Sequence, residues 1–204
     1  MMLTAALTGF ATAISLILAI GAQNAYVLRQ GLLKSHVFPL ALMCALSDAV
    51  LITAGVAGFG AVVALWPLLP AIMSALGAAF LIVYGALKLR AAWAGDYALT
   101  LSGQSAALWP TLLTGIAFTW LNPHVYLDTL GLIGAVSTKF TPTPQKVAFA
   151  VGACSASFTF FFALGYGARL LAPIMQSRRA WQILDALIAL TMWTLAYSLI
   201  RALL

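Results

Sequence analysis

What most constrains this chain is a succession of long apolar runs almost free of charge. Residues 3–28 contain no Asp, Glu, Lys or Arg, and a helix needs only about 20 apolar residues to cross a bilayer. Five further runs follow at 37–65, 71–87, 108–136, 147–172 and 181–204. Arg29 and Lys34 close the first, Trp66-Pro67 and Pro70 the second, and Lys88 with Arg90 the third. Lys139 and Lys146, around Pro142 and Pro144, precede the fifth run, and Pro173 with Arg178-Arg179 precedes the sixth. Hydrocarbon offers no water to backbone N–H and C=O groups, so each run must satisfy its own as a helix. The runs do not alternate in polarity, which excludes a β-barrel. The expected fold is therefore an all-α integral membrane protein of six transmembrane helices.

Composition agrees. Hydrophobic residues make up 64% of the 204 and charged residues 7%, whereas soluble domains average roughly 45–50% and about 25%. A water-soluble enzyme is excluded. The net charge of +6 does not signal nucleic acid, because the ten basic residues stand singly or in pairs with no stripe to follow phosphates. Cys44 and Cys154 lie apart inside apolar runs, so neither a zinc site nor a disulfide is expected, and no cofactor is implied. The N-terminus lacks a basic segment, and polar Gln23-Asn24 follows its apolar stretch, so it reads as a retained first span.

Basic residues also orient the chain. Arg29, Lys34, Lys88, Arg90, Arg169, Arg178 and Arg179 fall on one side of a six-span chain, and Lys139, Lys146 and Arg201 on the other. The richer side is expected to be cytoplasmic, with both termini outside. The joint at Trp66–Pro70 carries no charge; were it to dip in and return, there would be five spans and a cytoplasmic N-terminus.

The two halves echo one another. Residues 23–28, Gln-Asn-Ala-Tyr-Val-Leu, resemble 121–126, Leu-Asn-Pro-His-Val-Tyr. Gly55 to Gly60 resembles Gly165-Tyr166-Gly167, and 81–88 matches 194–201. Three spans per half make the second half enter from the opposite side. This is an inverted-topology repeat, a construction of many secondary transporters. The expected division is repeat one at 1–90, a linker at 91–107 and repeat two at 108–204.

Polar residues within the spans carry the functional signal. An Asp at the bilayer centre costs about 2.5–3.5 kcal/mol on insertion scales. Asp96 belongs to the linker, and Asp185, just after Arg178-Arg179, fits a guanidinium pair or a helix N-terminus. Asp48 and Asp128 lie deep in the second and fourth runs with no Lys or Arg in those runs to neutralise them, which leaves two readings: protonated carboxyls hydrogen-bonded structurally, or carboxylates awaiting a mobile cation, whether a proton, a metal or an organic amine. Gln23, Asn24 and Asn122 mark the same place in the two halves. Pro123 removes a backbone donor and should break the fourth span, as Gly21 loosens the first. His124 and Asp128, four apart, share a helix face. Ala41, Ala45 and Ala49, and Gly152 with Ser155 and Thr159, suit close helix packing.

Three segments together, 23–31 (Gln-Asn-Ala-Tyr-Val-Leu-Arg-Gln-Gly), 44–48 (Cys-Ala-Leu-Ser-Asp) and 119–129 (Thr-Trp-Leu-Asn-Pro-His-Val-Tyr-Leu-Asp-Thr), resemble the LysE family of amino-acid exporters, most of all its lysine/arginine branch. The likeness runs through nearly the whole chain. It implies a multi-pass protein of the bacterial inner membrane that exports L-arginine or L-lysine, with Asp48, Asn122 and Asp128 at the family's polar membrane positions. Ala22 stands where the family usually has proline. The expected transport site comprises Gln23, Asn24, Asp48, Asn122, Pro123, His124, Tyr126 and Asp128, serving a cationic amino acid in exchange for protons. A homodimer is compatible with so small a carrier. The alternatives are export of a neutral amino acid or a metal cation such as cadmium, a membrane enzyme using His124 and Asp128, or a structural subunit.

Overall fold

The computed structural model describes residues 1–18, 21–58, 68–94, 107–201 and 203. Asp96, Trp66-Pro67 and most of the expected linker lie outside the described residues, although its first part, through Ala94, is helical. Helix α1 spans Met2–Ile17, α2 Ala22–Leu32, α3 Val37–Val56 and α4 Leu68–Ala94. Then come α5 (Leu108–Trp120), α6 (Pro123–Tyr126), a π-helical stretch (Leu127–Ile133) and α7 (Gly134–Ser137). Helix α8 (Thr143–Gly167) passes through short 3₁₀ turns to α9 (Arg178–Arg201). No strand occurs among the described residues.

Among the described residues, four helical segments can cross a bilayer by length and hydropathy: Val37–Val56, Ser74–Ala94, Thr143–Leu171 and Arg178–Arg201. A fifth crossing results if α1 and α2, bent by 84°, form one broken span. The expected fourth run, 108–136, is divided among α5, α6, the π stretch and α7, so it does not make one long helix.

The helices have an apolar outside and a small-residue inside, as lipid rather than water demands. On α9, Ile183, Leu187, Leu190 and Tyr197 face outward, while Asp185, Ala189, Met192 and Ala196 are buried. Helix α1 packs along α8 through Ala5, Gly9 and Ala13 against Phe149, Gly152, Ala153 and Ala156. At Gly152 an added Cβ would collide with the Ala6 backbone, and at Gly9 with that of Phe149; the contact therefore depends on backbone approach rather than side-chain bulk. Ala41 and Ala45 are buried as expected, but Ser155 and Thr159 are exposed, each hydroxyl donating to a carbonyl of its own helix.

Helices α4 and α9 make the other extensive pairing, with α3 between α8 and the π stretch. Arg178 reaches the Ala94 carbonyl and Arg29 reaches Asp185, so the C-terminal ends of α2 and α4 and the start of α9 share one end of the bundle. Gln145 touches Met1 at the other.

Candidate functional site

Two helix interruptions meet around one cavity. At the first, Gly21 is extended (φ −112°, ψ 174°) and caps α2. Asn24 Nδ2 donates to the carbonyl of Ile17, the last residue of α1, at 2.7 Å. Ala22 occupies the first helical position, where proline is favoured but not required, and the 84° bend is present without it.

The second interruption is built differently. Helix α5 ends at Trp120, Asn122 is extended (φ −100°, ψ 106°), and Pro123 opens α6. The Asn122 Oδ1 accepts the His124 backbone N–H at 3.1 Å, an N-cap. Tyr126 Oη donates to the Trp120 carbonyl at 3.0 Å. In both places a side chain thus satisfies the last carbonyl before the break, a requirement where water is scarce. The π-helical stretch after Tyr126 then turns Asp128, Thr129 and Ile133 toward the cavity; such departures from the α-helix recur at functional sites.

The cavity holds about 370 Å³, within the roughly 300–1,000 Å³ usual for small-molecule sites. Gly21, Gln23, Asn24, Asp48, Asn122, His124 and Asp128 all line it. Six of the eight expected residues therefore converge. Pro123 is buried in the turn and Tyr126 bonds across the break, so these two shape the site without lining it. Asp48 is 4% exposed and accepts a hydrogen bond from Ser157 Oγ at 2.8 Å. Asp128 is half-buried and His124 exposed. The Gln23 side-chain amide nitrogen is buried with no ordinary hydrogen-bond partner among the described residues, the neighbouring Cys44 thiol being a weak one. Among the described residues, no Lys or Arg lines the cavity.

Ser157, Thr129 and Ser198 join the site without having been singled out from sequence. Membrane helices carry many hydroxyls that bond only their own backbone, as Ser155 and Thr159 do here, and sequence does not separate the kinds. Asp185 has the guanidinium partner that was one of its two expected readings. It is fully buried and pairs with Arg29 (3.0 Å) and Lys88 (3.8 Å), residues distant in sequence. Both cysteines are free, and among the described residues no three His, Cys, Asp or Glu side chains converge as metal ligands would.

Residues 14–203 match the model of the LysE type translocator family. The chain belongs to that family. An arginine exporter protein, ArgO, of Yersinia enterocolitica is 40% identical over 201 residues, covering 98% of each chain. Its namesake in Serratia proteamaculans is 40% identical over 199 residues, covering 97% of each. That of Salmonella paratyphi A is 39% identical over 194, covering 95% of this chain and 92% of the relative. No solved structure matches. Family membership together with the long apolar helices makes this LysE-type chain a transporter, a multi-pass protein of the bacterial inner membrane rather than an enzyme.

Proposed function

We propose that the chain exports a basic amino acid, L-arginine first and L-lysine second, by proton antiport through the cavity at the two helix breaks. One observation carries the reading: Asp48 and Asp128 share a cavity between helix ends with no lysine or arginine to neutralise them. Two carboxylates facing a small chamber suit the cationic side chain. The helices beginning at Ala22 and Pro123 both start beside the chamber, and such N-terminal ends favour the substrate carboxylate. Gln23 and Asn122 supply amides, and His124 a further polar contact. The names of the relatives support arginine over a neutral amino acid or a metal.

Moving a cation out against an inside-negative potential costs about 2.3 kcal/mol per charge per 100 mV. A proton returning on the vacated carboxylate cancels that charge movement, so an intramembrane Asp suits exchange. Asp48, the more buried of the two and braced by Ser157, is the better candidate for alternating between substrate and proton.

The same reading includes six spans arranged as two inverted repeats, 1–90 and 108–204, with the basic end in the cytoplasm. Glycine contacts support it. An added Cβ at Gly31, in the half-helix after the first break, would strike the Gly165 backbone in α8. One at Gly134, after the second break, would meet the Gly55 backbone in α3 at 2.8 Å. These contacts are counterparts, as repeat symmetry requires. So are the packing of α2 on α8 and of the π stretch and α7 on α3.

Counterflow of labelled arginine into proteoliposomes, repeated with lysine, threonine and cadmium ion, tests the substrate, and a lumenal pH dye tests the proton. Arginine or lysine exchange with opposed proton movement is expected. Threonine or cadmium exchange without arginine would overturn the substrate, and normal exchange by both Asp48→Asn and Asp128→Asn would overturn the carboxylate mechanism.

A further inference from the structure

Along α2 the chain passes from the cavity to the basic end of the bundle in a short distance. Gln23 and Asn24 line the cavity, Tyr26 follows within a turn, and Arg29 lies about 9 Å beyond Gln23 on a rise of 1.5 Å per residue. Helix α4 carries Phe80, Tyr84 and Lys88 in the same order, each one turn apart, and meets α2 through the Tyr26–Tyr84 rings. On α9, Ser198 lines the cavity and Asp185 lies about 20 Å nearer the basic end.

Two layers therefore stand between the cavity and that end. The first is aromatic. Tyr26, Phe80, Tyr84 and Phe118 close on one another with ring centroids 4.9–6.1 Å apart, and Tyr26 Oη donates to the Thr111 carbonyl. The second is ionic. Asp185, wholly buried, accepts Arg29 Nε at 3.0 Å and has Lys88 Nζ at 3.8 Å. The Arg29 guanidinium lies 5.7 Å from the centre of the Trp181 ring, and the Lys88 ammonium 5.4 Å from that of Tyr84. Lys88 thus belongs to both layers.

The helices bearing these groups are not equally fixed. Helices α4 and α9 pack along their lengths and are stitched by Gln182 to the Ala92 carbonyl and Arg178 to the Ala94 carbonyl. Helix α2 is a short segment joined to α1 through a bend; it rests mainly on α8, where Gly31 abuts the Gly165 backbone, and meets α9 over a smaller area that includes the Arg29–Asp185 pair.

We propose that Arg29, Lys88 and Asp185 form a latch that holds α2 against α4 and α9, and that with Tyr26, Tyr84 and Phe118 behind it the latch is the gate of the cavity at the basic end. The gate rests on the transport reading for its purpose, but its mechanical content stands apart from the substrate. Release of Arg29 from Asp185 detaches α2 from α4 and α9, so that α2 pivots on its Gly31–Gly165 contact with α8, carrying Tyr26 out of the aromatic layer and opening the cavity toward the basic end.

The test reads access rather than transport. In full-length protein with Cys44→Ala and Cys154→Ser, Ser198→Cys places a thiol in the cavity. Membrane-impermeant maleimide is applied to vesicles sealed with the basic end outward, as established by reaction of Arg90→Cys. Slow labelling of Ser198→Cys is expected with the latch intact, and at least fivefold faster labelling with Arg29→Gln or Asp185→Asn. Arg29→Lys, which keeps the charge, should restore the slow rate. Arg29 is partly exposed at the bundle end, so Arg29→Gln decides the matter should Asp185→Asn fail to insert. Labelling unchanged by Arg29→Gln, or a fast rate not restored by Arg29→Lys, overturns the gate. Counterflow is measured in parallel on protein with native Cys44, Cys154 and Ser198: a labelling switch without arginine counterflow there keeps the gate and removes the substrate assignment, and counterflow without a switch does the reverse.

Discussion

At the scale of single residues, the site is defined by where two carboxylates find partners and where they do not. Asp48 has Ser157 as its hydrogen-bond donor. A hydrogen bond to a charged group contributes about 1.5–3 kcal/mol, so Ser157→Ala is expected to raise the half-saturating arginine concentration roughly tenfold. Ser157→Thr should leave it nearly unchanged; both are measured by counterflow at equal protein density. Asp48→Asn should abolish exchange, whereas Asp128→Asn, at the half-buried position, should retain more. Asp185 teaches a different lesson. From sequence its nearest cations were Arg178-Arg179, but folding brings Arg29 and Lys88 from the far half of the chain. Apolar spacing indicates which residues are out of place in a membrane, not which distant helix supplies the counter-charge. The break at Asn122-Pro123 was legible because a missing donor and a cap have local effects. Ser157 was not, because its chemistry depends on a neighbour 109 positions away.

At the scale of elements, the helices are held by backbone proximity. Replacing Gly152 with Leu forces α8 away from the Ala6 backbone; overpacking of this kind costs about 1–3 kcal/mol. At about 2–4 °C per kcal/mol for a chain of this size, Gly152→Leu should lower the melting temperature in detergent by several degrees, while exposed Val151→Leu should not. The second break offers a separate prediction. Pro123→Ala restores a donor and lets α5 continue toward Tyr126, so insertion should persist while exchange falls at least tenfold. Asn122→Ala removes only the cap, worth about 0.5–2 kcal/mol, and should give an intermediate loss in the same assay. The π stretch that follows was not legible in the sequence. Its residues are ordinary helix formers, and its register reflects how the π stretch and α7 settle against α3.

At the scale of the whole molecule, the six-span reading puts seven basic residues at one end and three at the other, and so predicts a fixed orientation. Cysteine in place of exposed Arg90 should react with an impermeant maleimide only from the cytoplasmic face of sealed vesicles, and cysteine in place of exposed Lys139 only from the opposite face. Reaction of both from one face would refute six spans. The number of crossings was legible only in part, since the fourth run is cut into pieces too short to cross singly.

The two elbows beside the chamber are secured by different means. The first depends on a side-chain amide reaching Ile17, a link that thermal motion can undo and remake. The second contains a pyrrolidine ring, whose bend no fluctuation can erase. The two elbows should therefore differ in stiffness: backbone amides beside Gly21 are expected to exchange hydrogen faster than those beside Pro123.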